Sequence, residues 1–224
     1  CKVFIVDRQF QKVASEALSQ VDREIVVIDI DDRQAGLGDV PAIGKYEYEN
    51  FLLTGDEEFE WLKPKDEWQA ISLSYTSGTT GNPKGVVYHH RGSYLMSMGS
   101  VSAWNMPNRL TYLYTVPMFH CNGWGYPWTL AMLHARVVFI RNIVVKDIFN
   151  LIDQYDVTHV GGAPIVLNMI ANAPKDDQKA LRDKIYVMTA GAPPPYSILQ
   201  KMESLGFEVM HVYGLTETYG HVTH

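Results

Sequence analysis

The feature that most constrains the fold is a recurring order of segments along the chain. A short apolar run rich in β-branched residues comes first, then a loop rich in glycine or proline, then a segment with helical spacing of its apolar residues. Parallel strands need a crossover between them, and that crossover is usually a helix. The order therefore predicts an α/β fold, with a mostly parallel sheet flanked by helices.

The predicted elements run almost the whole length of the chain. Strands are predicted at residues 2–7, 24–30, 70–73, 86–87, 111–116, 137–140, 157–160, 185–189 and 207–212, and helices at residues 10–21, 46–53, 91–104, 130–134, 146–154, 165–171 and 196–205. We expect residues 1–68 to form a lead segment that contains a βαβ unit. An acidic, aromatic and irregular connection, residues 56–68, then leads into a second lobe at residues 69–224.

The overall composition excludes several classes of protein. The net charge is −6, with no run of lysines and arginines, which argues against nucleic acid as a partner. The apolar runs are shorter than the roughly 18 residues of a membrane span. Two cysteines make no disulfide framework, so we expect a cytoplasmic location. The chain has no initiator methionine and opens directly on a strand-like run, so we expect an excised piece of a longer protein.

Two groups of metal-binding residue types have simpler interpretations. Asp29, Asp31 and Asp32 stand at the end of the second predicted strand, where a solvated turn is more common than a metal cluster. His89 and His90 are neighbours, and neighbouring side chains on a strand or a helix point in different directions. Neither group is therefore predicted to hold a metal ion.

Residues 75–85 (YTSGTTGNPKG) combine three glycines, five hydroxyl side chains and one lysine. Glycine lets backbone N–H groups approach a ligand, hydroxyls donate to oxyanions, and an ammonium group supplies charge suited to phosphate. The spacing is not that of the Walker loop, in which lysine directly follows the second glycine. A flexible surface loop is the simpler alternative, and a phosphate site is the interpretation that the residue types favour.

The whole string resembles the phosphate-loop signature of the adenylate-forming superfamily, which includes acyl-CoA ligases, luciferases and peptide-synthetase adenylation domains. These enzymes join a carboxylate to the α-phosphate of ATP and release pyrophosphate. The resemblance implies ATP and Mg²⁺ as cofactors. It also implies that the β- and γ-phosphates are held by Thr76, Ser77, Gly78, Thr79, Thr80, Gly81 and Lys84.

A second stretch, residues 213–217 (YGLTE), is similar to another signature of the same superfamily. The resemblance implies that adenine stacks on Tyr213 and approaches over Gly214, that Thr216 binds the α-phosphate and that Glu217 is the Mg²⁺ ligand. A carboxylate with phosphate oxygens and waters is the ligand set that Mg²⁺ prefers. The simpler alternative is a helix start with Thr216 as the N-cap.

The resemblance also implies which residues lie on the other side of adenine, and they belong to a proline-rich turn. By resemblance, Gly191, Ala192 and Pro193 pack against the opposite face of the base. His211 and Val212 precede Tyr213, and many relatives carry asparagine or glutamine where this chain has His211. The partner of the adenine amino group is therefore left open.

The carboxylic acid is expected in residues 117–128 (PMFHCNGWGYPW) and the loop after residue 160. His120 matches the residue that gates the carboxylate site in relatives, and a buried core histidine is the alternative. Cys121 has no neighbouring base, so a catalytic thiol is not predicted. One indole among small residues suits a short or medium acid, in a pocket formed by Gly123, Trp124, Gly161, Gly162 and Ala163.

The combined motifs resemble the branch of short- and medium-chain acyl-CoA ligases that includes methylmercaptopropionate-CoA ligases. Coenzyme A and a small carboxylic acid are the implied partners, and Lys84, His120, Thr216 and Glu217 the implied catalytic residues. The resemblance corresponds to part of a large N-terminal domain. It implies that the ribose-binding aspartate, the hinge and a small C-terminal domain with a catalytic lysine lie outside residues 1–224. We therefore expect an inactive fragment that tends to self-associate. A non-CoA adenylating enzyme and a non-catalytic nucleotide-binding module stay open as alternatives.

Overall fold

The computed structural model describes residues 1–76 and 81–224, with the side chain of Asn122 excepted. The chain divides into two compact units, Cys1–Lys63 and Pro64–His224, close to the boundary expected at residue 68. Within the described residues, no helix is both long enough and apolar enough to cross a membrane.

The first unit contains the predicted βαβ arrangement. Strand β1 (Val3–Asp7) pairs in parallel with β2 (Val26–Ile30), and helix α1 (Gln11–Leu18) connects them. A third short strand, β3 (Tyr46–Glu47), pairs with β2, and α2 (Tyr48–Leu52) follows it directly. The first two residues of the helix predicted at residues 46–53 therefore form a strand instead, because they pair with β2.

Asp29 within β2 and Asp31 and Asp32 just after it form no metal cluster, and no such cluster exists among the described residues. Asp31 pairs with Arg8 at 2.8 Å, and Asp32 accepts a hydrogen bond from the backbone of Gln34. The solvated turn predicted there is wrong for Asp29, which is buried. Its carboxylate accepts the backbone N–H groups of the loop at residues 43 and 44, and those bonds replace water.

The second unit is built on a six-stranded sheet of order β11-β10-β9-β8-β6-β7. The β6 to β10 strands are parallel to one another, and β11 runs antiparallel to β10. The strands are β6 (Thr111–Tyr114), β7 (Arg136–Phe139), β8 (His159–Gly161), β9 (Ile185–Ala190), β10 (Phe207–Leu215) and β11 (Gly220–Thr223). The mostly parallel α/β sheet is confirmed.

Helices cover both faces of this sheet. They are α3 (His90–Ala103), α4 (Cys121–Trp124), α5 (Tyr126–Met132), α6 (Val145–Tyr155), α7 (Pro164–Ala171) and α8 (Tyr196–Ser204). Ile148 of α6, Leu167 of α7 and Met202 of α8 are fully buried in one core. Tyr126 and Leu130 of α5 belong to a second core that also contains Tyr112 and Met188. Burying each large side chain contributes about 1.5–3 kcal/mol, so the two cores fix the sheet between them.

Two parts of the second unit differ from the predicted order. The strand before the glycine-rich stretch, β4 (Ala70–Thr76), pairs antiparallel with β5 (Lys84–His89) in a separate two-stranded sheet. It is a hairpin because only seven residues separate the paired ends, Thr76 and Lys84, and no crossover fits between them. Residues 117–128, expected as a loop, contain α4 and the start of α5. The left-handed backbone of Trp124 and Gly125 separates these two helices.

Candidate functional site

The site lies at the edge of the sheet where the parallel strands end. The segment after β6 carries His120, the segment after β8 carries Gly162 and Ala163, and Gly191 directly follows β9. Carboxyl ends of parallel strands meet at one edge, and ligands of open α/β sheets bind there. Segments that carry predicted site residues therefore lie together at one edge of the six-stranded sheet.

A cavity of about 100 Å³ opens at this edge on the face that α5 covers. It is mostly apolar, and it contains most of the residues predicted for the acid. Its lining consists of Tyr112, Thr115, Val116, Pro117, His120, Trp124, Tyr126, Gly161, Gly162, Ala163, Met188 and Ala190. Gly123 does not line this cavity. It lies under Tyr114, whose hydroxyl donates to the Gly123 carbonyl at 2.8 Å.

The floor of this cavity was not anticipated from the sequence. Tyr112 and Tyr126 stack with ring centroids 5.2 Å apart, and the Tyr126 hydroxyl contacts the Met188 sulfur at 2.9 Å. Burial raises the pKa of both phenols far above their usual value, so both stay uncharged. The cavity thus offers an apolar, neutral interior. No motif marks these residues, because they are ordinary core positions of a strand and a helix.

A second cavity, of about 250 Å³, adjoins the first. Both are lined by His120, Trp124 and Ala190, which stand at their junction. The second cavity is further lined by Cys121, Gly191, Gly214, Leu215, Thr216 and Gly220. His120 is exposed, so the alternative of a buried core histidine is wrong. Most of the predicted acid residues therefore line a cavity that adjoins the one lined by Gly214, Leu215 and Thr216 of the YGLTE stretch.

The YGLTE residues occupy the end of β10 and a single 3-10 turn, Thr216–Thr218. The alternative of Thr216 as a helix N-cap is wrong, since Leu215 holds that position. The Thr218 hydroxyl accepts the Leu215 backbone N–H at 2.9 Å and fixes the turn. Thr216 lines the second cavity, and the next residue, Glu217, is exposed.

The β4–β5 hairpin reaches this turn through its second strand. The Tyr88 hydroxyl of β5 donates to the Thr216 carbonyl at 2.7 Å, and the Tyr88 ring lies 4.0 Å from that of Tyr219. Lys84 stands four residues before Tyr88 on β5, about 13 Å along the strand. Its side chain is exposed, and within the described residues it forms no ion pair. The lysine and the YGLTE turn therefore belong to connected elements.

Part of the predicted phosphate loop lies outside the described residues: Ser77, Gly78, Thr79 and Thr80. At its two ends, Thr76 pairs with Lys84 as the last residues of the hairpin strands. Gly81 has a φ of 148°, a conformation that favours glycine.

The predicted adenine residues come from neighbouring strands. Ala190 of β9 pairs with Val212 of β10, so the next residues, Gly191 and Tyr213, stand side by side. Tyr213 is 56% exposed, which leaves its ring available for stacking. The predicted turn continues through Ala192 and Pro193, both exposed. The ring atom Nε2 of His211 is buried, and no described residue hydrogen-bonds to it.

The site residues could hold a magnesium ion only together with a ligand. No cluster of three or more metal-binding side chains exists among the described residues. Glu217 offers one exposed carboxylate, which forms no ion pair within the described part of the chain. A single carboxylate fits Mg²⁺ when phosphate oxygens and waters complete its shell.

Comparisons with known proteins show the family of this chain. A family model described as AMP-binding enzyme matches residues 1–224. The chain is 45% identical to a peroxisomal acetate/butyrate–CoA ligase of Arabidopsis thaliana, over 97% of this chain and 40% of that ligase. It is 47% identical to a 2-methylpropanoate–CoA ligase of Humulus lupulus, over 77% of this chain and 31% of that ligase.

The fold is also found among solved structures. The inhibitor-bound N-terminal domain of FACL13 from Mycobacterium tuberculosis matches with a TM-score of 0.75 and 24% identity, covering 93% of this chain and 55% of that one. The chain spans about 40% of the length of the curated relatives that match nearly all of it. Because the family model matches all 224 residues, the chain belongs to the AMP-binding enzymes of the adenylate-forming superfamily.

Proposed function

We propose that the full-length gene product is an AMP-forming acyl-CoA ligase for short carboxylic acids. The observation that carries this proposal is the pair of adjoining cavities that share His120, Trp124 and Ala190. One is apolar and small, and the other is lined by Thr216 and Gly214 of the nucleotide motif. A carboxylate bound at the junction would stand between an acyl pocket and the α-phosphate of ATP.

The size of the apolar cavity supports a short acid. Its volume of about 100 Å³ is smaller than the roughly 150 Å³ apolar cavity that accepts benzene in an engineered protein. Tyr112 and Tyr126 close its floor, and each is a large buried side chain. The relatives named for acetate, butyrate and 2-methylpropanoate agree with an acid of this size.

The proposed first step joins the acid to AMP. A carboxylate oxygen attacks the α-phosphorus, the bond to the bridging oxygen of the β-phosphate breaks, and pyrophosphate leaves with that electron pair. Thr216 binds the α-phosphate, while Lys84 and the residues from Thr76 to Gly81 hold the departing pyrophosphate. These donors offset the repulsion between two anions, chiefly at the transition state. Glu217 would hold Mg²⁺ together with phosphate oxygens, and the bound ion would supply positive charge to these anionic groups.

In the proposed second step the thiol of coenzyme A attacks the acyl carbonyl, and AMP leaves. Because the chain covers about 40% of the matching ligases, we propose that residues 1–224 bind nucleotide weakly and do not turn over by themselves. We further propose that they self-associate through exposed apolar side chains such as Phe119, which is 84% exposed. A cytoplasmic location is part of the proposal, and fluorescence microscopy of the gene product distinguishes it from the peroxisome named for one relative.

Pyrophosphate exchange into ATP tests the first step. The full-length gene product should catalyse exchange that depends on Mg²⁺ and on acetate, butyrate or 2-methylpropanoate. It should release AMP in proportion to the coenzyme A added. If none of the acids tested supports exchange, the ligase function is overturned. Exchange without AMP release on adding coenzyme A would favour a non-CoA adenylating enzyme.

A further inference from the structure

Two side chains from different elements contact Thr216, the proposed α-phosphate ligand. The Cys121 sulfur, at the start of α4, lies 3.3 Å from the Thr216 hydroxyl oxygen. The Tyr88 hydroxyl, on β5, donates to the Thr216 backbone carbonyl at 2.7 Å. Thr216 is therefore held at its side chain by one element and at its backbone by another.

Both contacting side chains are buried. Cys121 is 7% exposed and Tyr88 is 5% exposed. Burial raises the pKa of Tyr88 far above its usual value, and the neighbouring Cys121 and Tyr219 raise it further, so the phenol keeps its proton for the Thr216 carbonyl. A hydrogen bond in a buried place is costly to leave unmade, which makes the geometry around Thr216 well defined.

The backbone at Cys121 is also unusual. Its φ is 47°, in the left-handed region that residues other than glycine enter at a cost of about 1–2 kcal/mol. Asparagine or glycine would be favoured there on backbone grounds alone. Cys121 lines the cavity that Thr216 lines and not the acid cavity, whereas its neighbour His120 lines both.

We propose that Cys121 and Tyr88 are positioning residues that orient Thr216 towards the α-phosphate, an inference that rests on the proposed ligase function. A hydroxyl can accept one hydrogen bond while it donates another. With the Cys121 thiol donating to its oxygen, the Thr216 hydroxyl keeps its own proton for a phosphate oxygen. Tyr88 fixes the backbone from which that hydroxyl projects, and it joins the turn to the strand that carries Lys84.

Substitution of Cys121 by serine and by valine separates positioning from packing. Serine keeps a donor of similar size, whereas valine keeps apolar bulk without a donor. A positioning role predicts that Cys121→Ser stays within about threefold of the unmodified protein, while Cys121→Val lowers kcat/KM for ATP in pyrophosphate exchange by about 3- to 10-fold. The KM for butyrate should not change, because Cys121 does not line the acid cavity. A packing role predicts the opposite order, since a buried cysteine then behaves as a small apolar residue.

Two further variants test whether the effect passes through Thr216. In a Thr216→Val background, Cys121→Val should cause no additional loss. Tyr88→Phe keeps the ring against Tyr219 but removes the hydroxyl, and it should lower kcat/KM for ATP about 3- to 10-fold. Cys1→Ser, at the other free and exposed cysteine, is the control. Thermal midpoints of all variants show whether each one is folded.

The affinity for Mg·ATP, measured by calorimetry on the same full-length variants, keeps the two proposals apart. Suppose that the unmodified protein exchanges no pyrophosphate, while the affinity for Mg·ATP falls from the unmodified protein to Cys121→Ser and then to Cys121→Val. That result would overturn the ligase function and support the positioning of Thr216. If exchange occurs and kcat/KM for ATP in Cys121→Val equals or exceeds that in Cys121→Ser, the positioning role is overturned. If Cys121→Val lowers kcat/KM for ATP further in the Thr216→Val variant, the positioning role is also overturned.

Discussion

At the scale of single residues, two glycines of the site, Gly214 and Gly161, are required by packing. A Cβ atom added at Gly214 would overlap the carbonyl oxygen of Gly220 on the neighbouring strand. One added at Gly161 would overlap the hydroxyl of Tyr112, in the floor of the acid cavity. The motif suggested that Gly214 makes room for adenine. The structure gives it a second reason, which is the close approach of two backbones.

Trp124 is expected to limit the size of the acid, because its indole lines the small cavity beside His120. Trp124→Ala should raise kcat/KM for hexanoate relative to butyrate at least about tenfold, since each methylene that gains an apolar contact contributes about 0.8 kcal/mol. The relative kcat/KM values of a series of acids measure this effect. Trp61→Ala, at an indole that is 87% exposed, is the control. An unchanged acid profile in Trp124→Ala would contradict the assignment of the cavity.

His159 is expected to make the fold sensitive to acid. Burial between Trp104 and Tyr186 lowers its pKa to about 4, from an ordinary value near 6.5. The unfolded chain takes up a proton below about pH 6.5 and the folded chain does not, so the free energy of unfolding falls from pH 6.5 towards pH 4. Above pH 6.5 this group contributes no pH dependence.

The expected loss through His159 is about 1–2 kcal/mol at pH 5 relative to pH 7. Urea unfolding at the two pH values measures it, and His159→Phe should lose less stability over that interval than the unmodified protein. His90→Gln, at a partly exposed histidine of α3, should behave as the unmodified protein does. Equal losses in His159→Phe and the unmodified protein would show that His159 is not the group responsible.

At the scale of elements, the return strand β11 holds the end of β10 in place. Gly214→Ala should push these strands apart, with a loss of about 1–3 kcal/mol that is typical of overpacking. Gly99→Ala is the matched control, because a Cβ atom there meets nothing and alanine favours the helix by about 1 kcal/mol. Thermal unfolding of both variants measures the difference. A Gly214→Ala variant as stable as Gly99→Ala would mean that β10 and β11 do not approach closely.

The strands and helices with clear periodicity were predictable from the sequence. Strands that pair with a strand only a few residues away along the chain were not. The α6 helix shows an apolar face with Ile148 and Ile152 inward, and the structure buries both. The β5 strand reads as the start of a new βα unit, because its antiparallel pairing with β4 leaves no mark in local periodicity. β11 was missed for the same reason, since four residues carry too little pattern to identify a strand.

The candidate site was predictable where glycine, proline and charged residues form motifs. His120, Gly191 and Thr216 were expected near one another, and the structure places them on one cavity. Tyr88 and Tyr112 carry no such signal. A tyrosine in a strand is an ordinary core residue, and only its partner in space, the Thr216 carbonyl or the Gly161 loop, gives it a role.

At the scale of the whole chain, residues 64–224 bring four of the five predicted ligand-binding segments onto one cleft by described contacts. These segments follow β6, β8, β9 and the end of β10. The fifth, residues 75–85, includes the start of β5, and β5 contacts the YGLTE stretch through Tyr88 and Thr216. The central claim is that Lys84 and Glu217 bind one triphosphate and its magnesium ion.

A crystal structure of the full-length gene product with Mg·ATP tests that claim most directly. We predict the Lys84 ammonium within hydrogen-bond distance, about 3 Å, of a β- or γ-phosphate oxygen, and the Glu217 carboxylate in the shell of the Mg²⁺ bound to the same nucleotide. An ATP molecule bound elsewhere, or bound in this cleft with Lys84 and Glu217 both out of contact, would contradict the account.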